Sequence, residues 1–343
     1  SVTVTGLLDV SGTEITLGSG AFNAGSLSFN SAGSVNIAED SSMLVSGPSS
    51  AGSGLDLVAA DDVTLGSTVT VVGDTSIIAG PTTGGIDVNA KLTGSGTILL
   101  DAAEEITIDA DIDPTTVTLN ADDDITVNAS VVASDLIIVS AGEDGSGGFT
   151  LSLAGSLTTI DSGSDITVTT GVTSGDISLA GATTAVDQVV FTSSAGDIAL
   201  AGSVASTDLV VTSSGAVTDG ADGDLAISGL AQVTAGSIEL GNDAGNTTNF
   251  GTLTFNSAGS VTISEDSSLD LVGINTADSA NLDSIAAVSD SAATSVDVTG
   301  LLDVSGTSVV LGSGTFNAGT LIFNSAGSVT ISEDSSLDLV GVN

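Results

Sequence analysis

Five aspartates offer the most specific chemistry in this sequence: Asp109, Asp111, Asp113, Asp122 and Asp124. The first three alternate with other residues, which is the spacing that opens a calcium-binding loop, and the last two belong to an acidic run that follows. Carboxylate oxygens are the ligands that hard cations such as Ca2+ and Mg2+ prefer. The five residues are therefore candidate calcium ligands carried by loops.

The pattern is not that of an EF-hand. An EF-hand needs Gly at the sixth loop position and Glu at the twelfth, where this sequence has Pro114 and Asn120. The glycine-rich repeat of calcium β-rolls is also missing. The alternative interpretation is that these carboxylates are solvated turn residues that favour solubility. We expect that the protein requires no cofactor, with Ca2+ as the one ion that its loops are suited to bind.

Composition excludes most catalytic arrangements. The sequence has no His and no Cys, and Lys91 is its one basic residue. A Ser-His-Asp triad cannot form without His. Paired carboxylates can hydrolyse glycosides, but pectin-cleaving β-helix enzymes combine theirs with basic residues, and this chain also lacks Tyr and Trp to stack against a sugar. The sequence predicts that the protein is not an enzyme.

The charge balance restricts the partners. The chain has 43 acidic residues and a net charge of −42. Neutralising phosphates needs Lys and Arg, so we expect no nucleic-acid partner, and an anionic membrane surface is disfavoured for the same reason. No apolar run approaches the roughly 20 residues of a membrane-spanning helix, so we expect no membrane insertion. The chain begins at Ser1 without a charged-then-apolar leader, as expected of a mature product or of a segment of a longer chain.

Short strands must position these side chains. Segments such as Glu105-Ile106-Thr107-Ile108 and Asp165-Ile166-Thr167-Val168 alternate polar with β-branched residues, which predicts half-buried strands. Gly, Asn, Asp or Ser follows almost every such segment, as tight turns demand. Strand starts recur at roughly 8–12 residues, a spacing that permits a sandwich, a barrel or a solenoid. Short strands, no long crossover and recurring longer blocks favour the solenoid.

We therefore predict an all-β fold, a single-chain parallel β-helix (β-solenoid) with about 20 residues per coil. Each coil would pair in parallel with its neighbours and bury Val, Ile and Leu, which leaves free strand edges only at the two ends. The Phe residues of the repeat are expected to stack as interior ladders at equivalent coil positions. They are Phe22, Phe29, Phe250, Phe255, Phe316 and Phe323.

One word, Phe-Asn-Ser-Ala-Gly-Ser-Val, begins at Phe29, Phe255 and Phe323 and defines three repeat blocks. Residues 1–49 match residues 295–343 without a gap at about two-thirds identity, and a third block spans 229–273. We expect one continuous solenoid over 1–343, with more divergent coils over 50–228 and an irregular segment at about 274–294. Because the end of the chain restates its beginning, the bland explanation is internal duplication. The alternative is one period of a longer tandem chain, or a protomer that associates with itself head to tail.

The words Asp-Ile-Thr-Val, Ser-Ala-Gly-Ser-Val-Thr-Ile and Ser-Leu-Asp-Leu-Val-Gly resemble the repeats of filamentous-haemagglutinin-type exoproteins and related giant bacterial surface proteins. The resemblance implies a right-handed parallel β-helix, secretion to the cell surface or the extracellular space, and a role in adhesion or in extracellular fibres. The leading expectation is a structural protein that contributes to a rigid acidic filament. The alternative is an adhesin whose loops bind glycans or a partner surface.

Overall fold

The computed structural model describes residues 1–18, 20–336 and 338–341. All of its regular structure is β-strand, and none of the described residues lies in a helix. The chain divides into two compact units, Ser1–Gly175 and Asp176–Asn343. Each unit is a β-solenoid in which every strand pairs in parallel with the strand one coil away. The predicted fold class is therefore confirmed.

The strands of the first unit are β1 (Val2–Gly12), β2 (Ile15–Leu17), β3 (Phe22–Ser31), β4 (Ser34–Glu39), β5 (Met43–Val45), β6 (Ser49–Ala51), β7 (Gly54–Ala59), β8 (Val63–Leu65), β9 (Val69–Val71), β10 (Asp74–Ala79), β11 (Ile86–Val88), β12 (Leu92–Gly94), β13 (Thr97–Ala102), β14 (Ile106–Ile108), β15 (Ile112–Asp113), β16 (Thr116–Ala121), β17 (Ile125–Val127), β18 (Ser130–Ala133), β19 (Leu136–Ala141), β20 (Phe149–Leu151), β21 (Ser156–Thr159) and β22 (Asp165–Thr170).

The strands of the second unit are β23 (Ile177–Leu179), β24 (Ala182–Thr184), β25 (Gln188–Ser193), β26 (Ile198–Leu200), β27 (Val204–Ser206), β28 (Asp208–Ser213), β29 (Ala216–Asp219), β30 (Leu225–Ala235), β31 (Ser237–Leu240), β32 (Thr248–Ser257), β33 (Ser260–Glu265), β34 (Leu269–Leu271), β35 (Ile274–Ala277), β36 (Ser279–Ser284), β37 (Ala287–Asp290), β38 (Ser295–Gly306), β39 (Ser308–Leu311), β40 (Thr315–Ser325) and β41 (Val329–Ile331).

Most coils consist of one longer strand and two short ones, separated by corners. In the first unit Ile37 lies in register with Leu57, and Leu57 with Ile77, so one coil takes about 20 residues. Period-two alternation sends Leu57 and Ile77 inward, where neither is exposed to solvent. Stacking one coil on the next therefore builds a continuous aliphatic core inside each unit.

Of the six repeat phenylalanines, five are buried and Phe323 is half-buried, and the strand register does not stack Phe on Phe. Phe29, Phe255 and Phe316 are buried, and each lies in register with an aliphatic residue one coil away. These partners are Val10, Val233 and Val296. The prediction of aromatic stacking was wrong because the coil that precedes each Phe-bearing coil carries a β-branched residue at the matching position.

The second repeat block moves one aromatic ring by two residues. Register on the adjacent coil makes Thr248 equivalent to Phe316, and Phe250 equivalent to Ala318. All four side chains face the interior. The second block thus has Thr248 and Phe250 where the third block has Phe316 and Ala318. Each block places one aromatic ring and one small side chain at these two positions, so the interior stays close-packed in both.

The repeat blocks differ from the other coils because a corner has been straightened. The short strand β27 and the longer strand β28 both pair with the single strand β30. A register shift lies between Ile227 and Leu230, and the same shift recurs between Val4 and Leu7 and between Val298 and Leu301. A Gly falls inside each shift, as expected where a β-bulge bends the strand.

The segment 274–294 is regular, contrary to expectation. It contains β35, β36 and β37, and β36 pairs with β33 through six residues in register. Ala280 and Ser284 face inward here and are buried. The prediction was wrong because small inward residues weaken the apolar alternation while the strand itself stays intact.

Candidate functional site

The five candidate calcium ligands lie on outward-facing corners and strands of the first unit. Asp109, Asp111, Asp113 and Asp124 are exposed, and Asp122 is half-buried. Within the described part of the chain, no three or more acidic side chains form a group that could hold a metal ion. Calcium binding by these residues therefore stays a prediction.

Three of the five are hydrogen-bond acceptors toward the next coil. Asp109 Oδ1 accepts a bond from Asn128 Nδ2 at 2.8 Å, and Asp124 Oδ1 accepts one from the backbone N–H of Gly148 at 2.8 Å. Asp111 Oδ1 accepts the backbone N–H of Ser130 at 3.4 Å.

Asp113 faces Lys91, with 4.0 Å between Asp113 Oδ2 and Lys91 Nζ, and both side chains are about half exposed. Such an exposed pair contributes little to stability.

The aspartate-to-backbone contact is a general device of these corners, which we call the corner clip. A corner breaks the ladder of backbone hydrogen bonds, and an Asp of the preceding coil accepts the N–H that would otherwise lack an acceptor. The other clips join Asp62 to Gly85, Asp74 to Thr97, Asp176 to Asp197, Asp197 to Ala216, Asp208 to Leu230 and Asp224 to Thr247, at 2.7–3.2 Å. In each clip the carboxylate belongs to the earlier coil and the N–H to the later one.

Several clips require glycine beside the donor. A Cβ at Gly215 would meet Asp197 Oδ1 well inside contact distance, and the same holds for Gly229 and Asp208 Oδ1. Both glycines immediately precede the residue whose N–H is clipped. The pairing of Asp with a Gly about one coil later is a sequence signal that could have revealed the clips.

Like charges also accumulate along the outside of the first unit. Partial burial raises the pKa of Asp122, and the neighbouring carboxylates of Asp144, Asp101 and Asp123 raise it further. Burial, then Asp101 and Asp122, likewise raises the pKa of Glu143. The outer surface is therefore a stack of mutually repelling carboxylates, in which protons or cations are favoured.

A Glu-Asp pair follows the repeated motif in each block, at Glu39-Asp40, Glu265-Asp266 and Glu333-Asp334, and it has a different role. Glu265 Oε1 accepts the backbone N–H of Phe250 at 2.8 Å, and Asp266 Oδ2 accepts that of Thr248 at 3.0 Å. The backbone N–H of Asp266 in turn bonds to the carbonyl of Thr248 at 2.9 Å. The pair thereby occupies the edge of β32, where the next coil supplies strand partners only to Leu253 and Asn256.

The other two repeat blocks reproduce this arrangement, which we call the edge cap. Glu39 Oε1 accepts the N–H of Ala24 at 2.7 Å, and Glu333 Oε1 accepts that of Ala318 at 2.9 Å. Asp334 Oδ2 accepts the N–H of Phe316 at 2.9 Å. Glu39 and Glu265 are not solvated turn residues, because period-two alternation after Ile37 and Ile263 places both on the inward face.

The buried glutamates are incompletely bonded. Glu265 is 1 % exposed and Glu39 is 4 % exposed, yet Oε2 of each has no hydrogen-bond partner. Burial, only partly offset by the bond from Phe250, raises the pKa of Glu265 to about 7. Burial likewise raises the pKa of Glu39. A buried carboxyl group with one unpartnered oxygen favours the protonated form, because water does not solvate the negative charge there.

Asp219 and Asp290 hold the loop that leads into the edge-capped strand. Asp219 Oδ2 accepts the N–H of Gly241 at 2.7 Å, and Asp290 Oδ2 accepts that of Gly312 at 3.1 Å. The oxygens of Asp290 take two further backbone N–H groups, whereas Oδ1 of Asp219 is buried without a partner. Burial raises the pKa of Asp219 to about 6.

No family model, curated protein or solved structure matches this chain. In the described residues, no helix is long and apolar enough to cross a membrane. The fold is that of a β-helix repeat protein.

Proposed function

We propose that the protein is a structural scaffold of the cell surface or the extracellular space, contributing to a rigid acidic filament by coil stacking, and that it is not an enzyme. One observation carries this proposal: the carboxylates, which are the groups best suited to chemistry, are used to join one coil to the next. Corner clips and edge caps both have this role. The proposed surface location rests on the resemblance to exoprotein repeats.

Self-association is supported by a comparison of two equivalent strands. The strand β38 is paired along both edges, with β35 and β36 on one side and β40 on the other. Its counterpart in the first block, β1, pairs with β3 alone among the described residues. We propose that the other edge of β1 receives strands from a second copy of this chain, or from a preceding period of a longer tandem chain.

The opposite edge, formed by β40 and β41, is already half covered. Glu333 and Asp334 bind the N–H groups of Ala318 and Phe316, and Leu321 already pairs in parallel with Leu339 of the same chain. An added coil can therefore pair only with the part of the edge that these contacts leave open. The same limit holds inside the second unit, where the coil that follows β32 pairs only at Leu253 and Asn256. The edge cap therefore defines which part of the edge is open to a partner.

Electron microscopy of the purified full chain tests the scaffold proposal. Uniform fibres that lengthen with protein concentration are the expected result. Isolated particles that bind a glycan array would contradict it and favour the adhesin. Added Ca2+ and a chelator show whether the cation that we propose as an optional ligand promotes assembly, which would appear as longer fibres with Ca2+.

A proline in β1 tests the route of association. The N–H of Val2 bonds toward β3, so alternation directs the N–H of Thr3 to the other edge. Thr3→Pro removes that donor at a position where an edge strand tolerates proline, and Thr3→Ala is the matched control. We expect Thr3→Pro to shorten the fibres and Thr3→Ala to leave them unchanged. Equal fibres from both variants would exclude this edge.

A further inference from the structure

The edge caps of Glu39 and Glu265 each hold a carboxyl group where burial favours its neutral form. In each, one carboxyl oxygen accepts a backbone N–H and the other is buried without a partner. A carboxylate that ionises in such a position must either remain unsolvated or turn outward to water. If it turns outward, the N–H of the strand loses its acceptor.

We propose that Glu39 and Glu265 are proton-operated latches: each covers the edge of its long strand when protonated and leaves that edge when ionised. The open latch exposes the N–H of Ala24 or of Phe250. An exposed strand edge is a site at which another strand can pair. At acid pH both strand edges would therefore be covered. A rise in pH would expose the N–H groups of Ala24 and Phe250 to a pairing strand.

The surroundings of Glu265 leave it without a compensating charge. The strands β31, β32 and β36 pack around it, and their inward residues are apolar or hydroxylic, such as Leu240, Thr248 and Ser284. The hydroxyl of Ser267 donates to Oε1 at 2.8 Å. The charged neighbour is the adjacent Asp266, whose carboxylate disfavours ionisation further. Asp219 lies one coil away and is bound to Gly241.

The surroundings of Glu39 are similar. It lies in register with Ala59 of β7, and the inward residues of β2, β3 and β7 are not ionisable. Asp40 is the charged neighbour that disfavours ionisation of Glu39. In the part of the chain that the structure describes, no basic side chain faces either carboxyl group. Both latches are therefore expected to open as the pH rises.

The same strand contains an internal control. The N–H of Phe255 in β32 also bonds to a side-chain oxygen, Asn275 Oδ1, at 3.0 Å. Asn275 is fully buried and its amide does not titrate over the pH range in question. The amides of Phe250 and Phe255 thus differ in whether their acceptor can ionise.

Amide hydrogen exchange, measured by NMR on the full chain from pH 5 to pH 8.5 and corrected for the intrinsic pH dependence of exchange, tests the latch. A group with a pKa of about 7 is mostly protonated below that pH and mostly ionised above it. We expect the protection of Phe250 to fall roughly tenfold between pH 5 and pH 6 and to level off above about pH 7, because well below the pKa each pH unit changes the ratio of ionised to protonated carboxyl tenfold. The protection of Phe255 should stay constant.

Glu265→Gln should make the protection of Phe250 independent of pH, since the amide oxygen still accepts the N–H and cannot ionise. Glu239→Gln, an exposed change on the neighbouring strand, is the control and should behave as the unmodified chain. Equal pH profiles for Phe250 and Phe255 in the unmodified chain would overturn the proposal, even if Glu265→Gln did not fold. A pH-dependent Phe250 in Glu265→Gln would overturn it as well.

Discussion

Glu265 Oε1 lies 2.8 Å from the backbone nitrogen of Phe250 and takes the position that a carbonyl of a neighbouring strand would otherwise hold. The side chain of one coil thereby replaces main chain of the next. This substitution allows the long strand β32 to continue past the point where the following coil turns away. The acidic repeat residues are thus part of the backbone hydrogen-bond network.

Stability should increase with salt. Adjacent coils are about 5 Å apart, inside the roughly 8 Å Debye length at physiological ionic strength, and the chain carries a net charge of −42. Carboxylates such as Asp101 and Asp144 lie close enough to Asp122 to raise its pKa. Raising NaCl from about 0.01 M to about 0.5 M should raise the melting temperature by several degrees, because the Debye length falls from roughly 30 Å to below 8 Å. Calorimetry at both salt concentrations measures the change. A melting temperature independent of salt would contradict the repulsion.

Calcium should be distinguishable from ionic strength. If Asp109, Asp111, Asp113, Asp122 and Asp124 bind Ca2+, millimolar Ca2+ should raise the melting temperature beyond an NaCl solution of equal ionic strength, and a chelator should reverse it. Asp122→Asn with Asp124→Asn should reduce that difference, whereas Asp297→Asn, an exposed change in the second unit, should not. Identical melting curves in Ca2+ and matched NaCl would leave screening as the sole effect.

Asp219 should make the protein less stable as the pH rises through 6. Its pKa is raised from 3.8 to about 6 in the folded state, so the folded chain binds the proton more tightly than the unfolded chain between these values. The resulting stabilisation is complete below about pH 4 and is lost as the pH rises through about 6.

Asp219→Asn should therefore flatten the fall of the melting temperature between pH 4 and pH 7, by a few degrees. Asp222→Asn removes the same charge from a nearby exposed position and serves as the control. Parallel pH profiles for the two variants would show that net charge, and not burial of Asp219, determines the slope.

Gly215→Ala should break one corner clip. The new methyl group would displace the Asp197 carboxylate, and the N–H of Ala216 would lose its acceptor. We expect a loss of about 0.5–1.5 kcal/mol in the free energy of unfolding, the usual net contribution of one hydrogen bond, because this bond is exposed and water can replace the lost acceptor. Gly220→Ala is the control, because its Cβ would meet only ordinary contacts with Ala201. Denaturant unfolding compares them, and equal losses would refute the clip.

The shifted aromatic ring predicts a coupled pair of substitutions. Phe250→Ala should cost about 3–5 kcal/mol by leaving a cavity, and Thr248→Phe alone should cost about 1–3 kcal/mol by overpacking. The double variant reproduces the Phe316 and Ala318 arrangement of the third block, so it should recover much of the loss. A double-mutant cycle measures the coupling, and additive losses would show that the two positions do not share one space.

The sequence predicted the architecture well because the solenoid depends on period-two alternation, and that signal is local. The alternation at Val261 and Ile263 predicts a strand from the local sequence alone. The same alternation places Glu265 inward, whereas its acidity alone predicts exposure. Which N–H the carboxylate meets depends on Phe250, and that relationship exists only once the coils are stacked.

The corner clips were missed for a related reason. Asp197 and Gly215 are separated by most of a coil, and the spacing between such partners varies with the length of each corner. The register of the strands, which sets that spacing, follows from packing of the whole coil and not from the two residues. The prediction of an irregular segment at 274–294 was wrong for the opposite reason. The local alternation is weak at Ala280 and Ser284, and pairing with the neighbouring coil specifies the strand there.

The corner clips all point the same way along the chain, with the acceptor on the earlier coil and the donor on the later one. A completed coil thus offers carboxylate acceptors to the N–H groups of the coil that follows it. In an edge cap the acceptor lies later in the chain than the N–H group, so the cap binds a strand that precedes it. The polypeptide is suited to winding coil by coil from its amino terminus, in the order in which it is synthesised.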